Sequence, residues 1–268
     1  MAVTENAGGG RPTRKRPPPR AVEVAEVVRL TPRVTRVAFT GAALAGFGPP
    51  RPGAHMKVFF PEPGSTWTPG DETVPRPPLR TYTPRRFDPD RLLLDVEFVH
   101  HGDGIAATWA ARAKVGEAMF VAGPGGGYDL PADATEVVLV ADDTAMPAAG
   151  TILEALPASV QATVLCEIEN AAEERQFSTR GAEVPITWLH RAARDTQPST
   201  ALEAAVRMLA PVMPGACWWI ACEAGAMRRI RQHLLRECGV DAARLHTRGY
   251  WKLGETAYPD HDYGVSGD

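Results

Sequence analysis

The most chemically loaded stretch of the chain runs from Arg80 to Trp109, RTYTPRRFDPDRLLLDVEFVHHGDGIAATW. It opens with Arg80-Thr81-Tyr82-Thr83, which places a cation, two aliphatic hydroxyls and an aromatic ring side by side. A guanidinium can grip a pyrophosphate, a tyrosine face can pack on a planar heterocycle, and hydroxyls can reach ring heteroatoms. The stretch closes on Gly102-Asp103-Gly104 and a helix predicted from Ile105 to about Lys114, whose first N–H groups are open to phosphate oxygen. A dinucleotide with a flat ring needs all of these, so a flavin is the first candidate. Gly102, Gly104 and Ala107 also fit the G-x-G-x-x-A dinucleotide fingerprint. The strands before them read as antiparallel, however, and Asp129, at the spacing of the acidic partner, follows a glycine-rich turn. Only a phosphate-holding helix start is kept from that motif. Taken alone, Arg80–Thr83 reads equally well as a surface strand with a half-buried tyrosine.

The elements that must position these residues follow two patterns. Val22–Leu30, Val34–Thr40 and His55–Phe60 are β-branched, alternating segments, with Val22, Val24, Val34, Val37 and Phe39 spaced for one face. Residues 61–79 hold six prolines and no periodicity, the mark of an exposed loop. After the Asp88-Pro89-Asp90 turn come the strands Leu92–Val99 and Ala118–Ala122, then a turn over Gly123-Pro124-Gly125-Gly126-Gly127. With one helix among these strands, an antiparallel barrel or sheet of about six strands is expected.

Near residue 132 the pattern changes. Strands Glu136–Ala141, Val160–Cys166, Val184–Leu189, Cys217–Cys222 and Leu245–Trp251 alternate with helices Thr144–Leu156, Thr200–Leu209 and Ala224–Cys238. Apolar strands alternating with helices imply a parallel sheet covered on both faces. In the last helix Met227, Ile230, Leu234 and Cys238 share a face, and Arg228, Arg231, His233 and Arg236 lie off it. The predicted architecture is therefore two-domain: an N-terminal antiparallel β-barrel over 21–132, then an α/β domain with a parallel sheet over 133–254.

Composition narrows the function classes. The 268 residues are 44% hydrophobic, as in an ordinary globular chain, and carry a net charge of −3. No apolar run approaches the roughly 18 residues of a membrane span, and no apolar segment follows the basic N-terminus as in a signal peptide. A cytoplasmic protein is expected. Residues 1–20 form a basic tail (Arg11, Arg14, Lys15, Arg16 and Arg20 against Glu5), and residues 255–268 an acidic one. The basic tail is rich in Gly and Pro and lacks aromatics, so it reads as disordered rather than as a nucleic-acid arm. Cys166, Cys217, Cys222 and Cys238 form no C-x-x-C pair, and His100-His101 lacks a carboxylate at ligand spacing. Buried reduced thiols and no metal site are the expectation. Trp218 and Trp219 read as core. Lys57, the one charge in an apolar strand, reads on spacing alone as an outward-facing lysine, and Trp251 as either a cover for a bound ring or a cap on the core.

Arg80-Thr81-Tyr82-Thr83 followed by a glycine-rich turn and an α/β half resembles the ferredoxin–NADP reductase superfamily. Within it the chain is similar to siderophore-interacting proteins, the flavin-dependent ferric-siderophore reductases. The likeness runs in order through Gly53–Lys57, Arg80–Arg85, Asp95–Gly102, Ala106–Ala110, Gly123–Gly126, Thr144–Ala148, Glu223–Arg228 and Gly249–Lys252, about residues 20–254 in all. The resemblance implies FAD held by Arg80 (pyrophosphate), Thr81, Tyr82 (ring face), Thr83 (reactive-nitrogen side), Asp95, Glu97, Phe98, Val99, His101, Gly102, Ala106, Ala107, Thr108 and Trp251. It implies NADPH or NADH against Asp143, Thr144, Cys222, Glu223 and Ala224. Lys57 and Lys252 would form a basic mouth that docks the ferric siderophore. Ala141-Asp142-Asp143-Thr144 departs from the family's usual Gly-Asp-Glu-Thr, Cys222 replaces a usual glycine and Ile105 a usual proline.

The function so implied is transfer of electrons from NAD(P)H through FAD to Fe(III) in a chelate, releasing Fe(II). A nicotinamide gives two electrons together and Fe(III) takes one, and a flavin is the cofactor that converts between them. The expected assembly is a monomer or weak dimer. Two rival readings remain: a flavin-binding electron carrier or siderophore-binding module fed by a partner, and a flavin reductase with another acceptor.

Overall fold

In a computed structural model the described residues are 18–102, 104–179, 182–191, 197–209, 213, 215–259 and 262–264. The expected basic tail falls almost wholly outside them, as does Asp103 of the Gly102-Asp103-Gly104 turn and much of the acidic C-terminus.

Seven strands make the first sheet. They are β1 (Arg20–Thr31), β2 (Val34–Thr40), β3 (Ala54–Phe59), β4 (Leu79–Tyr82), β5 (Arg86–Asp88), β6 (Leu93–Val99) and β7 (Ala118–Gly126), hydrogen-bonded in the order β4-β3-β7-β1-β2-β6-β5. All pairings are antiparallel. The five valine and phenylalanine residues expected on one face of β1 and β2 are buried. The sheet curls on itself: Tyr82 of β4 lies with its ring centroid 4.5 Å from that of Phe98 on β6, although the two strands sit far apart in the ladder. Helix α1 (Ile105–Ala110) plugs the curl with Trp109, whose ring packs on Phe39, Phe60 and Phe98.

Two expectations need correction here. Helix α1 stops at Ala110 rather than near Lys114, because the chain must turn back for the Gly116 N–H to reach the Val24 carbonyl at 2.8 Å. The glycine run after residue 122 is not a turn but the second half of β7, paired with β3. Its glycines allow close approach: a Cβ on Gly123 would stand 3.0 Å from that of Met56, and one on Gly126 would stand 2.7 Å from the His55 ring.

The second sheet is parallel, in the order β12-β9-β8-β13-β14: β8 (Glu136–Asp142), β9 (Gln161–Ile168), β12 (Ile186–His190), β13 (Cys217–Glu223) and β14 (Leu245–Trp251). A hairpin that the sequence does not signal, β10 (Ser178–Thr179) and β11 (Ala182–Glu183), lies beside it. Helix α2 (Met146–Ala155) packs with Val137, Leu139 and Trp219, while α3 (Thr200–Leu209) and α4 (Ala224–Arg236) pack on the other face with Val138, Val140 and Trp218. Burial on both faces explains why β8 and β13 read as unbroken apolar runs. On α4, His233 is buried rather than on the polar side, held by Arg207 and Glu237. Cys166, Cys217 and Cys222 are buried, Cys238 is half-buried, and all four are free.

Candidate functional site

A cavity of about 370 Å³ opens along the seam where the curled sheet meets the C-terminal ends of the parallel strands. Open α/β sheets bind ligands at that edge, where loops leave the strands and backbone groups are unpaired. The first half supplies Arg80, Thr81, Tyr82 and Thr83 from β4, Glu97 and Val99 from β6, and His101, Gly102, Ala106 and Ala107 around the start of α1. Strand β4 is an edge of the hydrogen-bonded ladder, and Arg80, Thr81 and Tyr82 on it line the cavity.

Several of these groups have defined states. The Tyr82 phenol is pushed far above its usual range by burial and stays neutral. Thr83 hydrogen-bonds Tyr250, whose own hydroxyl is pushed up to about 12 by burial. The Arg80 guanidinium donates to the Leu79 carbonyl at 2.8 Å. Burial lowers the pKa of His101, so the ring is a neutral donor and acceptor near pH 7. Glu97 is consumed by structure: Arg175 Nη1 lies 2.5 Å and Arg85 Nε 3.4 Å from its oxygens, and Arg85 also holds Glu154. Glu97 and Arg85 belong to the first half, Arg175 and Glu154 to the second, so this cluster fastens the seam.

The second half contributes Thr144, Trp251 and groups to which the sequence reading gave no role: Pro147, Arg248, Gly249 and Tyr250. His55 of β3 reaches the same cavity, with Nδ1 3.3 Å from Arg248 Nη1. The residues after β14 also fold back: Glu255, Thr256, Ala257 and Tyr258 line the mouth, anchored where Asp262 accepts from Arg228 at 2.7 Å and from Tyr258 at 2.5 Å. The available signal was position at the C-terminal end of a parallel strand, which marks Arg248 to Trp251 whatever their residue types.

Some sequence-predicted residues lie beside the cavity rather than in its wall. Phe98 points to the opposite face of β6, fully buried beneath Tyr82. Asp95 shares a face with Glu97 but sits two residues down the strand, where with Arg36 and Arg86 it walls a separate depression of about 410 Å³. Thr108 is exposed, and its N–H already bonds the Gly104 carbonyl at 2.9 Å. Lys57 stands behind the wall, donating to Thr81 Oγ1 at 2.6 Å. Lys252 is paired with Glu255 at the rim. Asp143 is held by Arg191 through contacts of 2.9 and 3.1 Å. At the end of β13, Cys222 is sealed in the core, where burial raises its thiol pKa, and Glu223 caps α4 by accepting from the Ala226 N–H at 2.9 Å. Ala224 packs directly under Gly249, where a Cβ would approach to 3.0 Å. Among the described residues no His, Cys, Asp and Glu cluster suits a metal ion, and no helix is long and apolar enough to cross a membrane.

The model of the siderophore-interacting FAD-binding domain matches residues 23–128, and that of the siderophore-interacting protein matches residues 134–254. The NADPH-dependent ferric-chelate reductase of Escherichia coli is 30% identical over 244 residues, covering 87% of this chain and 92% of that one. The chain belongs to the siderophore-interacting protein family. Another relative, the ferric vibriobactin reductase ViuB of Vibrio cholerae, is 29% identical over 256 residues, covering 91% and 93%. A siderophore utilization protein from T. fusca, known from its crystal structure, superposes with a TM-score of 0.76 at 35% identity, covering 91% and 96%. The antiparallel sheet followed by a parallel one is a fold shared with the ferredoxin–NADP+ reductase of Plasmodium falciparum, which superposes with a TM-score of 0.63 at 13% identity, covering 87% and 96%.

The residues at the seam fit a flavin. An aromatic face (Tyr82), flanking hydroxyls (Thr81, Thr83), a guanidinium (Arg80) and a helix start without side chains beyond Cβ (Ala106, Ala107) surround one space. Tyr250 and Trp251 close it from the side of the parallel sheet.

Proposed function

We infer that this protein is an FAD-dependent reductase that passes electrons from NADPH or NADH to Fe(III) in a ferric siderophore. The observation that carries the reading is the composition of the cavity, whose walls come from both halves, so that a flavin held by one half faces a nicotinamide held by the other. Bound FAD supplies the conversion of a two-electron hydride donor to one-electron delivery. This chain's residues do the holding. Arg80 takes the pyrophosphate, Tyr82 the ring face, and Thr81 and Thr83 the ring edge. Thr144 and the end of β14, Tyr250 and Trp251, frame the nicotinamide, with residues 21–132 as the flavin half and 133–254 as the nicotinamide half. Lys57 behind the wall and Lys252 at the rim draw an anionic chelate by long-range attraction, which Glu255 offsets while it pairs with Lys252. Fe(III) is the substrate and needs no protein ligand. Reduction favours its release, because hard oxygen donors hold Fe(II) more weakly. The protein acts in the cytoplasm, where reduced nicotinamides are available, as a monomer or weak dimer.

The test is anaerobic spectroscopy of the purified protein. Flavin absorbance that bleaches with NADPH or NADH and returns on adding a ferric chelate supports the reading and names the donor. Flavin that neither nicotinamide bleaches overturns the NAD(P)H step and makes the protein a partner-fed carrier. Failure to bind FAD after reconstitution overturns the cavity assignment itself.

A further inference from the structure

Asp142, at the C-terminal end of β8, is fully buried. Three donors converge on its two oxygens. Oδ1 accepts from the Thr144 N–H at 3.0 Å and from the Thr144 hydroxyl at 2.5 Å, and Oδ2 accepts from the Trp251 indole N–H at 2.8 Å. Thr144 enters the cavity wall from the loop before α2 and Trp251 from the end of β14, so one carboxylate ties together two separate parts of the wall.

We propose that Asp142 is a proton-sensitive positioning residue: as a carboxylate it fixes the Trp251 ring and the Thr144 hydroxyl in the cavity wall, and on protonation it releases them. The functional meaning rests on reading the cavity as the flavin–nicotinamide site; the hydrogen-bond switch does not. A carboxylate only accepts, which suits three donors. A proton on either oxygen introduces a fourth donor. The indole and amide N–H groups cannot answer it, because they only donate, while a hydroxyl can turn and accept. Protonation therefore redirects the Thr144 O–H from Asp142 towards the cavity, and it costs the indole its charge-assisted bond.

The surroundings place this event close to neutrality. Burial is the largest influence and the neighbouring Asp143 carboxylate the next, both raising the pKa; the bonds from Thr144 and Trp251 and the Arg191 guanidinium oppose them. The other ionisable groups facing it are Glu167 and Cys166 on β9, Cys222 on β13 and Tyr250 on β14, with His101 beyond Asp143. The balance is pushed up to about 6.

The experiment follows the indole N–H resonances of the flavin-loaded, ¹⁵N-labelled protein against pH, with Trp251 assigned by its loss in Trp251→Phe. Of the six tryptophans, Trp251 is expected to titrate with a midpoint of about 6. Asp142→Asn should abolish that titration and remove the matching inflection from the rate of flavin reduction by NADPH, while Asp142→Glu keeps an inflection at a displaced pH. A Trp251 resonance that stays flat through mildly acidic pH, or one that still titrates in Asp142→Asn, overturns the proposal. Should Asp142→Asn fail to fold, Thr144→Val decides instead: it removes a bond that favours the carboxylate, so the Trp251 midpoint must rise, and an unmoved midpoint overturns the proposal. The visible spectrum of each sample reports separately whether flavin is bound, so failure of the cavity reading is distinguishable from failure of the switch.

Discussion

Glu97 and Asp142 are both buried carboxylates at the same seam, but they are compensated differently. Glu97 lies between two guanidinium groups, one from each half of the molecule. Asp142 is deeper, has a like charge next to it in sequence, and receives hydrogen bonds only from neutral groups. A buried carboxylate set between cations acts as a fastening, whereas one held by neutral donors keeps a protonation equilibrium within reach. Two carboxylates at one seam thus serve a mechanical and a chemical role.

The largest expected effect comes from breaking the fastening. Glu97→Ala leaves Arg85 and Arg175 facing each other without their shared anion, and removing one partner of a buried pair costs about 3–5 kcal/mol. Thermal or denaturant unfolding should show a loss of that order, with the two halves separating in their transitions. A loss confined to a few tenths of a kcal/mol would place Glu97 with the surface pairs.

The second prediction concerns pH. The folded-state pKa of Asp142 stands above its ordinary value of 3.8, at about 6, so the folded state binds this proton more tightly than the unfolded chain. Its stabilising contribution is complete below pH 3.8 and is lost as pH rises through about 6. Relative to Asp142→Asn, the wild type should therefore lose up to about 3 kcal/mol of stability across that window, because each pKa unit is worth about 1.4 kcal/mol. The comparison is between slopes, so any constant difference between the two proteins cancels. Parallel pH–stability curves would contradict it.

How far the sequence reveals this site depends on where the information resides. Arg80 to Thr83 was legible because four adjacent residue types on one strand specify their own chemistry, and the seam inherits them intact. The alternation of apolar strands and helices beyond residue 132 was legible for the same local reason. The family resemblance implied Glu97 as a flavin contact and gave no sign of a fastening, because its partner Arg175 lies 78 positions away on an irregular segment. The Asp142–Trp251 bond spans 109 positions and is made by β14 lying one strand removed from β8 in the sheet. Arg248 carries no motif, and Tyr250 sits in a family-like segment that assigned it no role; the strand end places both. The glycines of β7 misled in the opposite direction, since a run that permits turning was selected here for close packing against Met56 and His55.

The third prediction extends the comparison to the cavity mouth. Lys57 is half-buried against Thr81, while Lys252 stands at the rim. Removing both, Lys57→Ala with Lys252→Ala, should raise KM for an anionic ferric chelate severalfold, with little change in kcat and no loss of bound flavin. Flavin loss in that variant would mean that the lysines hold the cofactor instead of the chelate.

The smallest effect belongs to Glu255, the only acidic residue in the rim segment 255–258. Its carboxylate pairs with Lys252 at the surface, the side chains 46% and 42% exposed against 7% for Glu97. An exposed pair of this kind adds little to stability, because water screens both charges before and after they meet. Its consequence is for approach: while the pair persists, the mouth presents a neutral rim rather than a free cation to an incoming anion. Glu255→Gln should leave the melting temperature unchanged, increase kcat/KM for an anionic chelate and steepen its dependence on salt, because steering by a free charge is itself screened. An uncharged chelate should show neither change. Equal acceleration of charged and uncharged chelates would mean that Glu255 obstructs the mouth by its bulk, and the contrast between compensated and uncompensated charge would then end at the buried seam.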